Sequence, residues 1–136
     1  MIRLFPHHVG ISVSSMDASI AWYHDHFGFT VRSQTYIESE QLKIAYINNG
    51  EYEIELFEKA DSDSTPIHDQ DVLHSFSVQG LKHIAFAVED LDATWAELER
   101  KELDLVTPPT INTDLGVRYC FIRDPDGVLL EFLTVL

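Results

Sequence analysis

A single cysteine, Cys120, in 136 residues excludes an internal disulfide and makes a reducing cytoplasm the simplest expectation. Positive charge is equally scarce. Nine Lys and Arg against 23 Asp and Glu leave a formal net charge of −14, too few cations for the broad basic footprint that nucleic acid or an anionic membrane requires. No apolar stretch approaches the ~20 residues that span a bilayer, and the N-terminus carries no signal-peptide pattern. What remains, 45% hydrophobic and 24% charged residues, is ordinary for one domain of residues 1–136 with a real core.

What is present is a repetition. "HVGISVSSMDASI" from His8 and "HIAFAVEDLDATW" from His83 run in parallel at an offset of 75 without a gap. Val9, Ile11 and Val13 fall on Ile84, Phe86 and Val88. Such self-similarity dictates architecture. Each half opens with alternating apolar residues, a strand near residues 7–13 and again near 82–88. Ser/Asp-rich segments then supply N-caps. Helices follow, with Ile20, Tyr23 and Phe27 on one stripe and Leu91, Trp95 and Leu98 on the other; Gly28 stops the first, and the second lacks a terminal Gly. Three more strands complete each half, near 29–36, 41–47 and 52–58, then near 104–107, 117–123 and 128–135. "NNGE" (48–51) and "DPDG" (124–127) are turn sequences, and 59–71 reads as a polar linker. The predicted fold is α+β, a single domain of two tandem βαβββ modules near 5–58 and 80–136.

Two residues in each half do not suit a core. His83 opens the otherwise apolar run 83–88, and Glu131 stands between Leu130 and Phe132; His8 and Glu55 repeat the pattern upstream. His8 and Glu55 are 47 positions apart and His83 and Glu131 are 48 apart. Strand side chains alternate between faces. Ile84, Phe86 and Val88 therefore point to the helix, and His83 shares the other face with Ala85 and Ala87. His8 shares its face with Gly10 and Ser12. Small neighbours leave room for something else.

A carboxylate in apolar surroundings costs several kcal/mol unless it is paired or protonated. One divalent cation satisfies two glutamates and two histidines together, since imidazole and carboxylate suit Zn, Ni, Co, Fe or Mn. The plain alternatives are a hydrogen-bonded structural histidine and glutamates facing water on an edge strand, as for Glu51, Glu53 and Glu58. Four coincidences at matched offsets favour the metal. His8, Glu55, His83 and Glu131 are thus the expected ligands. His7 is set aside because its parity places it with core-facing Val9. His24, His26, His68 and His74 receive no role, and Cys120 reads as a packing residue.

"HHVGISV", "IELFE", "KHIAFAV" and "FIRDPDGVLLEF" resemble the vicinal oxygen chelate superfamily over nearly the whole chain. That superfamily includes glyoxalase I, methylmalonyl-CoA epimerase, extradiol dioxygenases, fosfomycin-modifying enzymes and bleomycin-binding proteins. The resemblance implies that the modules form a curved mixed sheet around a metal-binding cup, the ligand role at His8, Glu55, His83 and Glu131, and a homodimer, with each site built across two chains in some members. In glyoxalase- and epimerase-like members the glutamates act as bases, so Glu131 is the expected principal base and Glu55 its counterpart. The implied activity is an isomerase or lyase that moves a proton next to a carbonyl or thioester through an enolate-like intermediate. An Fe(II) dioxygenase and a non-enzymatic drug-binding protein are the alternatives. Glutathione-using members carry an Arg where this chain has Ser12 and Asn-Trp where it has Lys59-Ala60, whereas "IELFEKADSDSTPI" and "GLKHIAFAV" look more like the epimerase. Lys43, Lys59, Arg118 and Arg123 are the cations available to an anionic substrate.

Overall fold

The computed structural model describes residues 1–64 and 71–136; part of the expected linker, with His68, lies outside them. The chain divides into two compact units, Met1–Ser64 and Thr65–Leu136. In the first, β1 (Val9–Ser12) leads into α1 (Met16–Phe27), followed by β2 (Thr30–Ile37), β3 (Leu42–Asn48) and β4 (Glu53–Lys59). In the second, a short helix α2 (Val72–Ser75) precedes β5 (His83–Ala87), α3 (Leu91–Arg100), β6 (Asp104–Asn112), β7 (Val117–Arg123) and β8 (Leu129–Val135). The expected βαβββ order holds in both units.

Each unit folds its strands into a four-stranded mixed sheet, ordered β1-β4-β3-β2 and β5-β8-β7-β6. The helix returns the chain so that the opening strand lies parallel to the last one, while the other pairings are antiparallel. This puts Gly10 beside Glu55 and Ala85 beside Glu131. Residues far apart in sequence become lateral neighbours for that reason alone.

The helix sides of the sheets form the cores. In the first unit Ile11, Val13, Ala45, Ile47, Ile54 and Leu56 are buried with Met16 and Tyr23 of α1. In the second, Ile84, Cys120, Ile122, Leu130 and Phe132 are buried with Leu91 and Leu98 of α3. The caps repeat too: the Ser15 hydroxyl accepts from the Ala18 N–H, and the Asp90 carboxylate accepts from the Ala93 N–H. Gly28 ends α1 in the left-handed conformation at φ 70°. Without that glycine, α3 is two residues shorter, and Glu102 takes the left-handed turn at φ 54°.

β6 extends beyond the expected end at 107, through Pro108 and Pro109 to Asn112. It is an edge strand, and its register shifts between Thr107 and Thr110. Residues without an N–H are tolerated at such an irregular edge. Among the described residues no helix is long and apolar enough to cross a membrane.

Candidate metal centre

β1 and β4 are neighbours, and alternation sends His8, Gly10 and Ser12 to the face opposite the core. Glu53, Glu55 and Phe57 of β4 share that face. The His8 Nε2 lies 3.0 Å from the Glu55 Oε2. In the second unit the His83 Nε2 lies 3.0 Å from the Glu131 Oε2. Both glutamates are largely shielded, with side chains 15% and 14% exposed, while the histidines keep 31% and 29%. Each unit therefore brings one of the four candidate histidines and glutamates against another, and with the same atoms.

A spacing of 3.0 Å is a hydrogen bond from an imidazole N–H to a carboxylate. It also suits a metal. Two ligand atoms at ~2.0–2.2 Å from one ion, at right angles to each other, stand about 3 Å apart. Neither pair needs to open for an ion to take the place of the shared proton. The small residues expected on this face stay open: Gly10, Ser12, Ala85 and Ala87 are all exposed in their units. Gly10 also leaves room for a neighbour, since a Cβ there would come within 3.1 Å of the Phe57 ring, which would have to shift. These donors fit a divalent ion by geometry and by chemistry.

An aromatic ring braces each histidine. Tyr46 meets His8 edge-on at 5.4 Å, and Phe121 meets His83 at 5.3 Å. The strand register places Tyr46 directly beside Glu55 and Phe121 beside Glu131. The Tyr46 hydroxyl donates to Glu55, which raises the phenol pKa. Phe121 has no such group to offer.

Two expectations need correction. His7 does not face the core. The paired strand begins at Val9, so alternation does not reach His7, whose side chain is 71% exposed. Its Nδ1 lies 2.7 Å from the His8 Nδ1 and 3.9 Å from Glu53. Glu53, read as a solvent-facing residue, is only 11% exposed. Both its oxygens accept from Arg32, at 2.6 and 2.9 Å, and this bidentate bond holds the carboxyl below the usual range. His7, His8 and Glu53 have ligand atoms within 4.8 Å of one another. They are a poor primary site, because Arg32 occupies the carboxylate and the two imidazoles already touch. Sequence alternation did signal Glu53, which shares its parity with Glu55.

Glu58 is likewise engaged rather than free. It accepts from Lys43 at 2.6 Å and from the Met16 N–H at the start of α1. Lys43 holds the Glu58 carboxyl below its ordinary range, helped by that N–H. Three of the four expected substrate cations are already committed: Lys43 to Glu58, Arg118 to Asp92, and Arg123 to the Gly127 carbonyl.

The family model described as the Glyoxalase/Bleomycin resistance protein/Dioxygenase superfamily matches residues 6–132. The chain belongs to this superfamily. It is 36% identical over 128 residues to the uncharacterized protein YaeR of Escherichia coli (strain K12), covering 92% of each chain. The crystal structure of a glyoxalase family protein from Enterococcus faecalis superposes with a TM-score of 0.81 at 25% identity, over 96% of this chain and 97% of that one. The trypanothione-dependent glyoxalase I of Leishmania major has the same fold, with a TM-score of 0.69 at 21% identity over 93% and 84%. Superfamily membership places the two donor pairs in a fold whose members include metal-dependent enzymes.

Proposed function

We propose that this superfamily member is a divalent-metal-dependent isomerase or lyase that moves a proton next to a carbonyl or thioester. The observation that carries this reading is one donor pair occurring twice, His Nε2 against Glu Oε2 at 3.0 Å. His8, Glu55, His83 and Glu131 hold one Ni, Zn, Co, Mn or Fe ion, within one chain or across a cytoplasmic homodimer. A bound ion supplies Lewis-acid polarisation of the substrate oxygen.

The chain's own residues supply the proton chemistry. Glu131 takes the proton from the carbon beside the carbonyl, and the bonding pair moves into an enolate-like system. Glu55 returns a proton, to the same carbon or its neighbour. Glu131 is the better proton carrier because no hydroxyl is bonded to it from position 121, whereas Tyr46 fastens Glu55. Ser12 and Lys59-Ala60 replace the residues found in glutathione-using glyoxalases, which favours another carbonyl or thioester substrate.

The deciding experiment is elemental analysis of protein purified without added metal, followed by solvent deuterium exchange into candidate carbonyl and thioester compounds. One divalent ion per chain, with exchange abolished in Glu131→Gln, is expected. Exchange unchanged in that variant rejects Glu131 as the base. Oxygen uptake after anaerobic iron loading identifies a dioxygenase instead. Ligand binding without bound metal, unaffected by Glu131→Gln, identifies a binding protein.

A further inference from the structure

The two half-sites differ at the far side of the histidine ring. The His8 Nδ1 has a partner at 2.7 Å, the His7 Nδ1. The His83 Nδ1 is buried with no hydrogen-bond partner among the described residues. At the place matching His7 stands Lys82, which donates to the Val78 carbonyl. The matching positions around His7 have diverged together. Glu53 corresponds to Leu129 on the last strand, and by strand register Arg32 corresponds to Val106.

Proton bookkeeping gives this contact a direction. A carboxylate only accepts, so with no ion present the His8 Nε2 carries the hydrogen that bonds Glu55. In the neutral ring the His8 Nδ1 then offers a lone pair, which a hydrogen on the His7 Nδ1 can meet at 2.7 Å. An Nε2 that ligates a metal must give up its hydrogen, and the neutral ring then carries hydrogen on Nδ1. That N–H needs an acceptor. His7 can become one by moving its own hydrogen to Nε2, since its ring is 71% exposed and exchanges with water. The same contact holds in both arrangements, with donor and acceptor reversed.

We propose that His7 is a positioning residue for His8: it fixes the ring through the Nδ1 contact and supplies the reversible partner that lets Nε2 become a ligand. The Arg32–Glu53 pair stands beside this contact, with the Glu53 Oε1 3.9 Å from the His7 Nδ1. The first unit is therefore the half that grips the ion more firmly. This inference rests on the metal reading above, and it adds a residue that contacts neither the ion nor the substrate.

The test uses the full chain, free of metal and then titrated with zinc, in wild type, His7→Ala, His7→Asn and Lys82→Ala. His7 is exposed, so its variants retain the core. Long-range proton–nitrogen NMR of the metal-free proteins reads the His8 tautomer. Wild type and His7→Asn, whose side-chain amide can occupy the place of Nδ1, are expected to show one tautomer. His7→Ala is expected to show averaged nitrogen shifts, with His83 unchanged as the internal control. Zinc affinity by chelator competition is expected to fall roughly 10–100-fold in His7→Ala, to recover largely in His7→Asn, and to stay level in Lys82→Ala. An unaveraged His8 tautomer in His7→Ala, or an unaltered zinc affinity, overturns the role of His7 while leaving the metal reading intact. A wild-type protein that binds no zinc sinks the metal reading instead, and the metal-free tautomer comparison still judges His7.

Discussion

In the first unit the histidine of the donor pair is contacted at both ring nitrogens, and its glutamate receives a tyrosine hydroxyl. In the second unit the same atoms meet at the same 3.0 Å, but Phe121 replaces the tyrosine and the His83 Nδ1 has no partner among the described residues. The backbone register around both pairs is the same, Gly10 opposite Glu55 and Ala85 opposite Glu131. A repeated fold thus keeps what the strand pairing dictates and lets the surrounding side chains diverge. The divergence is correlated. Where the first unit uses Arg32, Glu53 and His7, the second has Val106, Leu129 and Lys82, and Leu129 is buried. One half-site is braced by polar contacts and the other sits among apolar ones, where a carboxylate is freer to change partner.

Removing one histidine from each half separates the two most sharply. His8→Ala and His83→Ala are each expected to weaken divalent-metal binding by more than the roughly 10–100-fold typical of losing a residue that only supports a ligand. The larger loss is expected for His8→Ala, because its half is the braced one. Equal losses by competition titration would break the distinction between a gripping and a working half.

Acid comes next. Glu58 ties Lys43 and the Met16 N–H together in the first unit, and its counterpart on β8 is Thr134, which cannot do the same. Its folded pKa is depressed, chiefly by Lys43. The stabilisation is therefore present above the unfolded carboxylate value and lost as pH falls through the lower folded value. Hydrogen exchange measured from about pH 5 downward, across the ordinary carboxylate range, is expected to show the start of α1 losing protection before the start of α3. Glu58→Gln is expected to remove that pH dependence.

The smallest effect is expected in the core. Cys120 and Ala45 occupy matching places on β7 and β3, and both are fully buried. Burial pushes the Cys120 thiol up to about 11, so a thiol reagent near neutral pH should react only with unfolded chain. Cys120→Ala makes the second core resemble the first and is expected to cost about 1 kcal/mol by urea denaturation. A much larger loss would show that the two cores are packed differently at this position.

The gap-free offset of 75 made the fold legible, since it located both opening strands and both caps before any contact was known. The donor pairs were legible as well, because a polar residue recurring inside an apolar strand leaves few readings. His7 was misplaced because strand parity was extended one residue beyond the paired ladder. Glu53 and Glu58 were passed over because a glutamate near a strand end reads the same whether it meets water or an arginine. The extent of β6 was missed because an irregular edge strand accommodates two prolines that a central strand would refuse.

Sequence alone determined the duplicated βαβββ order and the four residues that break their apolar strands, since alternation and periodicity are local properties of the chain. Tertiary structure decided which atoms meet. Only the return of each helix lays the first strand against the last, bringing imidazole to carboxylate, and only the folded structure reveals that His8 has a second partner while the His83 Nδ1 has none among the described residues.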